Sequence, residues 1–200
     1  MPFTPFHLGP GAAFKAIGGR HFSFMVFGGA QVLMDIEPLV AILRGSPVLD
    51  GVTHTILGAL VIGLVAGAIG RPISEFVLRL LRIRHHPMTW PVSFLSGLVG
   101  TYSHIGLDAV MHRDVEPVWP FAAGNPLLGL MSVEGLHVLC LVAGLLGLLV
   151  IAGRAYLTGR LEQTGAEAFT DGRSRSSRGA SARRRPGPSR DASDRPGRES

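Results

Sequence analysis

The chain predicts an all-α, polytopic integral membrane helix bundle of three to four spans, followed by a disordered tail. Three observations carry this reading. Hydrophobic residues make up 46% of the chain and gather in long runs before residue 160. Glycines recur inside those runs, where they would weaken a water-soluble helix but permit close helix contact in a bilayer. From residue 160 onward the composition turns to arginine, serine, glycine and proline, with Leu161 and Phe169 the last large apolar side chains. Residues 1–159 are therefore expected to form the membrane bundle. Residues 160–200 bury too little apolar surface to offset chain entropy and are expected to be disordered.

The first forty residues admit two readings. His21 to Arg44 is long enough for a fourth span. Alternatively, Gly11–Ile17 and Phe22–Met34 form a re-entrant helical hairpin around Gly18-Gly19, ended by Asp35-Ile-Glu37-Pro38. Proline disfavours helix at the residue before it, which places the stop there.

Val52–Gly70 is the first clear span, Pro91–Met111 the second and Val133–Gly153 the third. Each approaches the roughly 20 residues that cross a hydrocarbon core. Gly63 and Gly67 make a GxxxG, which serves packing within one chain as readily as dimerisation. Between the first two spans, Ile73, Phe76, Val77, Leu80 and Leu81 fall on one helical stripe, while Ser74, Glu75, Arg79 and Arg82 fall off it. That pattern predicts an amphipathic helix in the membrane interface, apolar face down.

The charge is uneven. The net charge is +5, and the tail alone holds ten arginines against six acidic residues. No aromatic residues alternate with the tail arginines after Phe169, so no nucleic-acid partner is expected. The basic loop Arg71–Met88 and the tail from Arg154 both belong on the cytoplasmic side by the positive-inside rule. Two helices separate them, so the assignments agree. The lone Cys140 lies in an apolar run and reads as a small buried hydrophobe. The start, MPFTPFHLGPG, lacks a basic segment leading into an apolar core, so no cleavable signal peptide is expected.

The remaining ionisable residues are the informative ones. Seven of the eight acidic residues before position 160 (Asp35, Glu37, Asp50, Asp108, Asp114, Glu116 and Glu134) lie near histidines at the ends of apolar segments or inside them. An ionisable group in a membrane segment is by default a functional site. His104-Ile-Gly-Leu-Asp108 puts an imidazole and a carboxylate on one helix face. Glu134-Gly-Leu-His137 is a second such pair, of the Glu-x-x-His kind that projects metal ligands into bundles. Asp35 and Glu37 add carboxylates, and His54 adds an imidazole. Mixed imidazole and carboxylate ligation suits zinc, iron or manganese better than calcium or magnesium. Each residue also has an ordinary role open to it. His104 and Asp108 suit a helix-linking hydrogen bond, Glu134 suits a helix N-terminus, and Asp50, Asp114 and Glu116 suit solvated loops. On the predicted topology His54, His104, Asp108, His112, Asp114, Glu116, Glu134 and His137 all fall at the non-cytoplasmic face, although the topology was assigned without them.

The segments MPFTPFH, MDIEP, THTILGA and SHIGLDAVMHRDVEPVWPF together resemble a family of bacterial membrane-bound metal-dependent hydrolases, distantly similar to zinc phospholipase C. The resemblance covers about residues 1–155. It implies metal ligation by His7, Asp35, His54, His104 and Asp108, with Trp119-Pro120-Phe121 as the turn. It also favours the N-terminal hairpin, in which His7 and Asp35 share a face. The chain departs from the family pattern at Glu37, where aspartate is frequent, at Thr55, where serine is usual, and at His112, where threonine is common.

The expectation is thus a metal-dependent hydrolase of the bacterial inner membrane, acting on a membrane-accessible ester or phosphoester. Zinc is the foremost metal, with manganese and iron next. The expected ligands are Asp35, His54, His104 and Asp108, followed by His7, Glu134 and His137, with Glu37 as a base near the metal. The rival class is a non-enzymatic membrane protein, structural or a metal or proton carrier, using the same residues. The topology makes its own prediction. In a Cys140→Ala background, cysteine at position 118 should label from outside, whereas cysteines at 84 and 180 should be protected. The reverse pattern inverts the bundle.

Overall fold

The computed structural model describes residues 5–46, 51–83 and 86–182, with side chains to residue 160. Asp50, Arg84, His85 and the tail beyond Ala182 lie outside them. Among the described residues there are helices and turns and no strand. The helices are α1 (Gly9–Gly18), α2 (Phe24–Met34), α3 (Ile36–Leu43), α4 (Ile56–Leu80), α5 (Trp90–Met111) and α6 (Val133–Ala182). Three stretches are long and apolar enough to cross a membrane: Phe24–Leu43, Ile56–Leu80 and Val133–Arg160. The chain divides into two compact units, 1–153 and 154–200.

Both readings of the N-terminus hold in part. α1 and α2 form the expected hairpin, turning through the 3₁₀ segment Gly19–His21, with Gly19 at φ +50°. Ser23 caps α2 by accepting from the Val26 amide at 3.3 Å. The second arm does not stop at Asp35. Asp35 keeps a helical conformation (φ −72°, ψ −8°), and α3 begins at the next residue. Pro38 is tolerated because it sits in the first turn of α3, where its missing N–H has no helical acceptor to serve. The result is a broken 20-residue apolar stretch with a carboxylate at the break.

α4 differs from expectation in the other direction. The predicted span and interfacial helix are one continuous helix that carries Pro72 internally. Ile73, Phe76 and Leu80 are exposed on its outside, while Ser74 is buried. The amphipathic stripe is therefore real, but it extends a span rather than forming a separate element.

α5, expected as a full span, is 22 residues long but is not among the three apolar stretches. Ser93, Ser96, Thr101, His104 and Asp108 dilute its apolar character, and all five are buried. It is the inner helix of the bundle, packed on α4 and α2. Backbone contact makes this possible. A methyl at Gly97 would stand 2.6 Å from the Gly63 carbonyl oxygen, and one at Gly67 would stand 2.8 Å from Phe94 Cα. The GxxxG of Gly63 and Gly67 is thus used inside the chain. Ser93 Oγ donates to the Gly67 carbonyl at 2.6 Å across the same contact.

In the second unit the backbone is helical from Arg154 to Ala182, through part of the segment expected to be disordered. The sequence gives a reason: no proline occurs between residues 160 and 182, and the first in the tail is Pro186.

The packing yields a prediction. Gly97→Leu should destabilise the detergent-solubilised protein by about 1–3 kcal/mol, the usual effect of overpacking. Gly153→Leu meets no atom within 4 Å and should leave the melting temperature unchanged.

Candidate metal centre

The cluster assembles at one end of the bundle from four separate pieces of chain. α5 carries His104 and Asp108 in its last two turns, 0% and 3% exposed. α2 ends at Asp35, one turn after the buried Gln31. His54 closes the 3₁₀ turn Val52–His54 that leads into α4. That turn is held by Thr55, whose hydroxyl accepts from the Gly58 amide at 3.0 Å and donates to the Val52 carbonyl at 2.8 Å. His7 lies in the 3₁₀ turn Pro5–Leu8 ahead of α1 and is also buried.

Asp108 is the centre of the group. Its Oδ2 is 2.9 Å from His104 Nε2 and 3.4 Å from His54 Nε2. Its Oδ1 is 3.5 Å from His7 Nε2 and 3.7 Å from His112 Nδ1. Asp35 Oδ1 is 3.5 Å from His104 Nε2. The His7 ring meets the His104 ring edge-on, with centroids 4.9 Å apart. Burial lowers the His7 pKa to about 4 against the opposing pull of Asp108. His7 is therefore a neutral imidazole at physiological pH and has no proton to expel on binding a metal.

The outer contacts fix how two of the rings present themselves. Gln31 Nε2 donates to Ser103 Oγ at 3.2 Å, and Ser103 donates its single proton to the Gly100 carbonyl at 3.0 Å. The amide oxygen of Gln31 therefore faces His104, 2.5 Å from Nδ1. It can only accept, so His104 Nδ1 carries a proton and Nε2 faces Asp108. A parallel arrangement holds His54. Glu37 accepts from both the amide and the hydroxyl of Thr53, the amide bond being 2.9 Å. With its proton on Glu37, the Thr53 oxygen accepts from His54 Nδ1 at 3.1 Å. His54 thus also directs Nε2 at Asp108.

Unprotonated Nε2 atoms and a carboxylate facing one another at these distances repel unless a cation lies among them. Two atoms each about 2.1 Å from a tetrahedral ion sit roughly 3.4 Å apart. The separations of 2.9 to 3.5 Å around Asp108 bracket that spacing. The buried His7 Nε2 and Asp108 Oδ1 have no hydrogen-bond partner among the described residues. One ligand atom each from His7, His104 and Asp108 lie within 4.8 Å of one another. This buried group fits a metal ion.

The other expected residues fall outside this core. Glu37 is bound to Thr53 and reaches the cluster through Thr53 and His54. Glu134 is exposed near the start of α6. His137 stacks on Phe6 at 4.5 Å, one residue away from His7. His112 stands just past the end of α5 yet still approaches Asp108. Gln31, Thr53 and Ser103 were missed. Gln31 had a signal: it is the one amide in the apolar run of α2, one helical turn before Asp35.

Purified protein should carry a transition metal, measured by elemental analysis. His104→Ala and Asp108→Ala should each abolish it, and His86→Ala should not. Gln31→Ala, which frees the His104 ring to change tautomer, should weaken metal affinity by about 10–100-fold.

Comparisons of the chain with family models, with curated proteins and with solved structures find no match.

Proposed function

We propose that this protein is a membrane-embedded, metal-dependent hydrolase that cleaves an ester or phosphoester at the end of the bundle where His7, His54, His104, Asp35 and Asp108 meet. The observation that carries the reading is the pair of Nε2 atoms aimed at one buried carboxylate, each ring held by a hydrogen bond on its far side. Rings held in this way resist reorientation and are pre-organised to ligate. The resemblance of the SHIGLD and WPF segments to membrane-bound metal-dependent hydrolases points the same way.

A pocket of about 380 Å³ adds a place for substrate. Val52 and Thr55, which flank the Thr53-His54 pair, line one part of it. Arg113 and Asp114, which follow His112, line another, with Glu116 and Trp119 completing the wall. Arg113 suits an anionic oxygen, and Val52 with Trp119 suits an acyl or alkyl group. A divalent ion, zinc foremost, would act as a Lewis acid on the scissile group and acidify the attacking water. Asp108, His104, His54 and His7 would hold the ion, Asp35 would flank it, and Glu37 orients His54 through Thr53. Asp114 and Glu116 supply carboxylates on the pocket side to accept a proton from water. The proposed setting is the bacterial inner membrane, with the cluster on the non-cytoplasmic face.

A second reading rests on the 2.9 Å contact of His104 with Asp108. A shared proton there would make a helix-linking pair with no catalysis.

The deciding experiment follows hydrolysis of a panel of chromogenic esters and phosphodiesters by the detergent-solubilised protein. Activity should vanish with chelator, return with zinc or manganese, and fall to background in Asp108→Ala. Arg113→Ala should raise KM for anionic substrates about tenfold, the effect of losing one charge-assisted hydrogen bond, with little change in metal content. Wild type that holds no metal and gains no thermal stability from added zinc or manganese favours the structural pair.

A further inference from the structure

The opposite end of the bundle holds a second and larger cavity, of about 710 Å³. The topology places it there. The cluster lies at the end of α2, the start of α4 and the end of α5. This cavity is lined by the start of α2 (Phe24, Met25), the last turns of α4 (Leu78) and the start of α5 (Thr89, Val92). Its remaining wall comes from the α1–α2 turn and from residues 86–88.

The lining has two kinds of surface. Lys15, Arg20, His21 and His86 form the polar part, and no carboxylate lines it among the described residues. Lys15 Nζ donates to the carbonyls of Gly19 at 2.8 Å and Phe22 at 2.7 Å. The ammonium thereby covers acceptors that would repel an anion. Arg20 Nε donates to His21 Nε2 at 3.2 Å, which aligns the two side chains. The positive ends of α2 and α5 add to the same potential. Phe22, Phe24, Met25, Leu78 and Met88 form the apolar part. A cationic floor with aromatic and aliphatic walls matches an amphiphile with an anionic head, not a soluble ion alone.

The site is also built rather than incidental. Glu75 Oε1 accepts from the Met88 amide at 3.2 Å and pairs with Arg71 Nε at 3.4 Å. The Arg71 guanidinium lies 4.6 Å above the Trp90 ring. These contacts tie the 86–89 wall to α4 and α5. Exposed Phe76, Leu80 and Trp90 surround this end, as expected where a bundle meets the headgroup layer.

We propose that this cavity binds the phosphate headgroup and upper acyl chains of one anionic phospholipid. Arg20 and His86 contact the phosphate, and Phe24, Met25 and Leu78 contact the chains. The proposal does not depend on the metal centre.

Native mass spectrometry of the full chain, released from mixed micelles of phosphatidylglycerol and phosphatidylcholine, tests it. Wild type should retain one phosphatidylglycerol in preference to phosphatidylcholine. Arg20→Ala should reduce that retention about fivefold, the effect of one basic side chain at an anionic surface. Arg20→Ala/His86→Ala should reduce it further. Both variants should keep the wild-type melting temperature and metal content, because neither side chain supports the backbone as Lys15 does. Equal retention of the two lipids by wild type overturns the proposal, as does undiminished phosphatidylglycerol binding in the folded double variant. Inorganic phosphate that displaces the lipid at equal concentration overturns it too, by showing that a soluble phosphate suffices.

Discussion

Asp108 is withdrawn from water near the C-terminal end of α5, and a carboxylate so placed is tolerated only with compensating positive charge or donors around it. The rest of the arrangement follows from that demand. Imidazoles approach it from α5 itself, from the turn before α4 and from the turn before α1. Gln31 and Thr53 engage the Nδ1 side of two of them, so that Nε2 is the atom each presents to the carboxylate. With Nε2 unprotonated, these groups form a concentration of lone pairs in a low-dielectric setting, where a divalent cation is worth most. The outer hydrogen bonds therefore decide what the inner residues can do.

Bringing four chain segments to one carboxylate requires α5 to lie close to both α2 and α4. Small residues supply that closeness. Gly63, Gly67 and Gly97 allow backbone contact on one side of α5. On the other, a methyl at Gly100 would meet the Phe27 carbonyl oxygen at 2.9 Å. Two buried hydroxyls of α5 bond across these contacts: Ser93 Oγ donates to the Gly67 carbonyl and Ser96 Oγ accepts from the Ser23 amide at 2.8 Å. The large apolar side chains turn outward instead, as Leu139, Leu145 and Leu149 do on α6. The interior packs small and polar residues tightly beside a few large apolar side chains such as Phe27 and Met34, and the outside is apolar.

Much of this was legible before any coordinates. Period and composition located the helices, and helical spacing paired His104 with Asp108. Asp35 and His54 stood out as a carboxylate and an imidazole at the edges of apolar segments, and the resemblance added His7. Less legible was anything that depends on how helices are joined. Pro38 read as a boundary, because a proline's local preference is visible in sequence while its position in a turn is not. α5 read as a lipid-crossing span because its length is right. Its five buried polar side chains are what set it apart. Glu134-x-x-His137 has the right spacing, yet α6 presents Glu134 to the outside, since spacing fixes a shared face but not its direction. Gln31 and Thr53 were missed because neutral polar residues carry no ligand signature, although they set the tautomers.

The broken stretch Phe24–Leu43 bears on how the protein is made. Asp35 lies near its middle and Glu37 just beyond. During synthesis this stretch emerges before His54, His104 or Thr53 exist. A lone carboxylate near the centre of an inserting helix disfavours insertion by about 3 kcal/mol. The N-terminal hairpin is therefore poorly suited to enter the bilayer alone. Stable entry awaits α4 and α5, which bring the imidazoles and the threonine that accept these charges. Assembly of the site and completion of membrane insertion are then a single event, and a chain cut short before Asp108 should be recognised by the cell as unfinished.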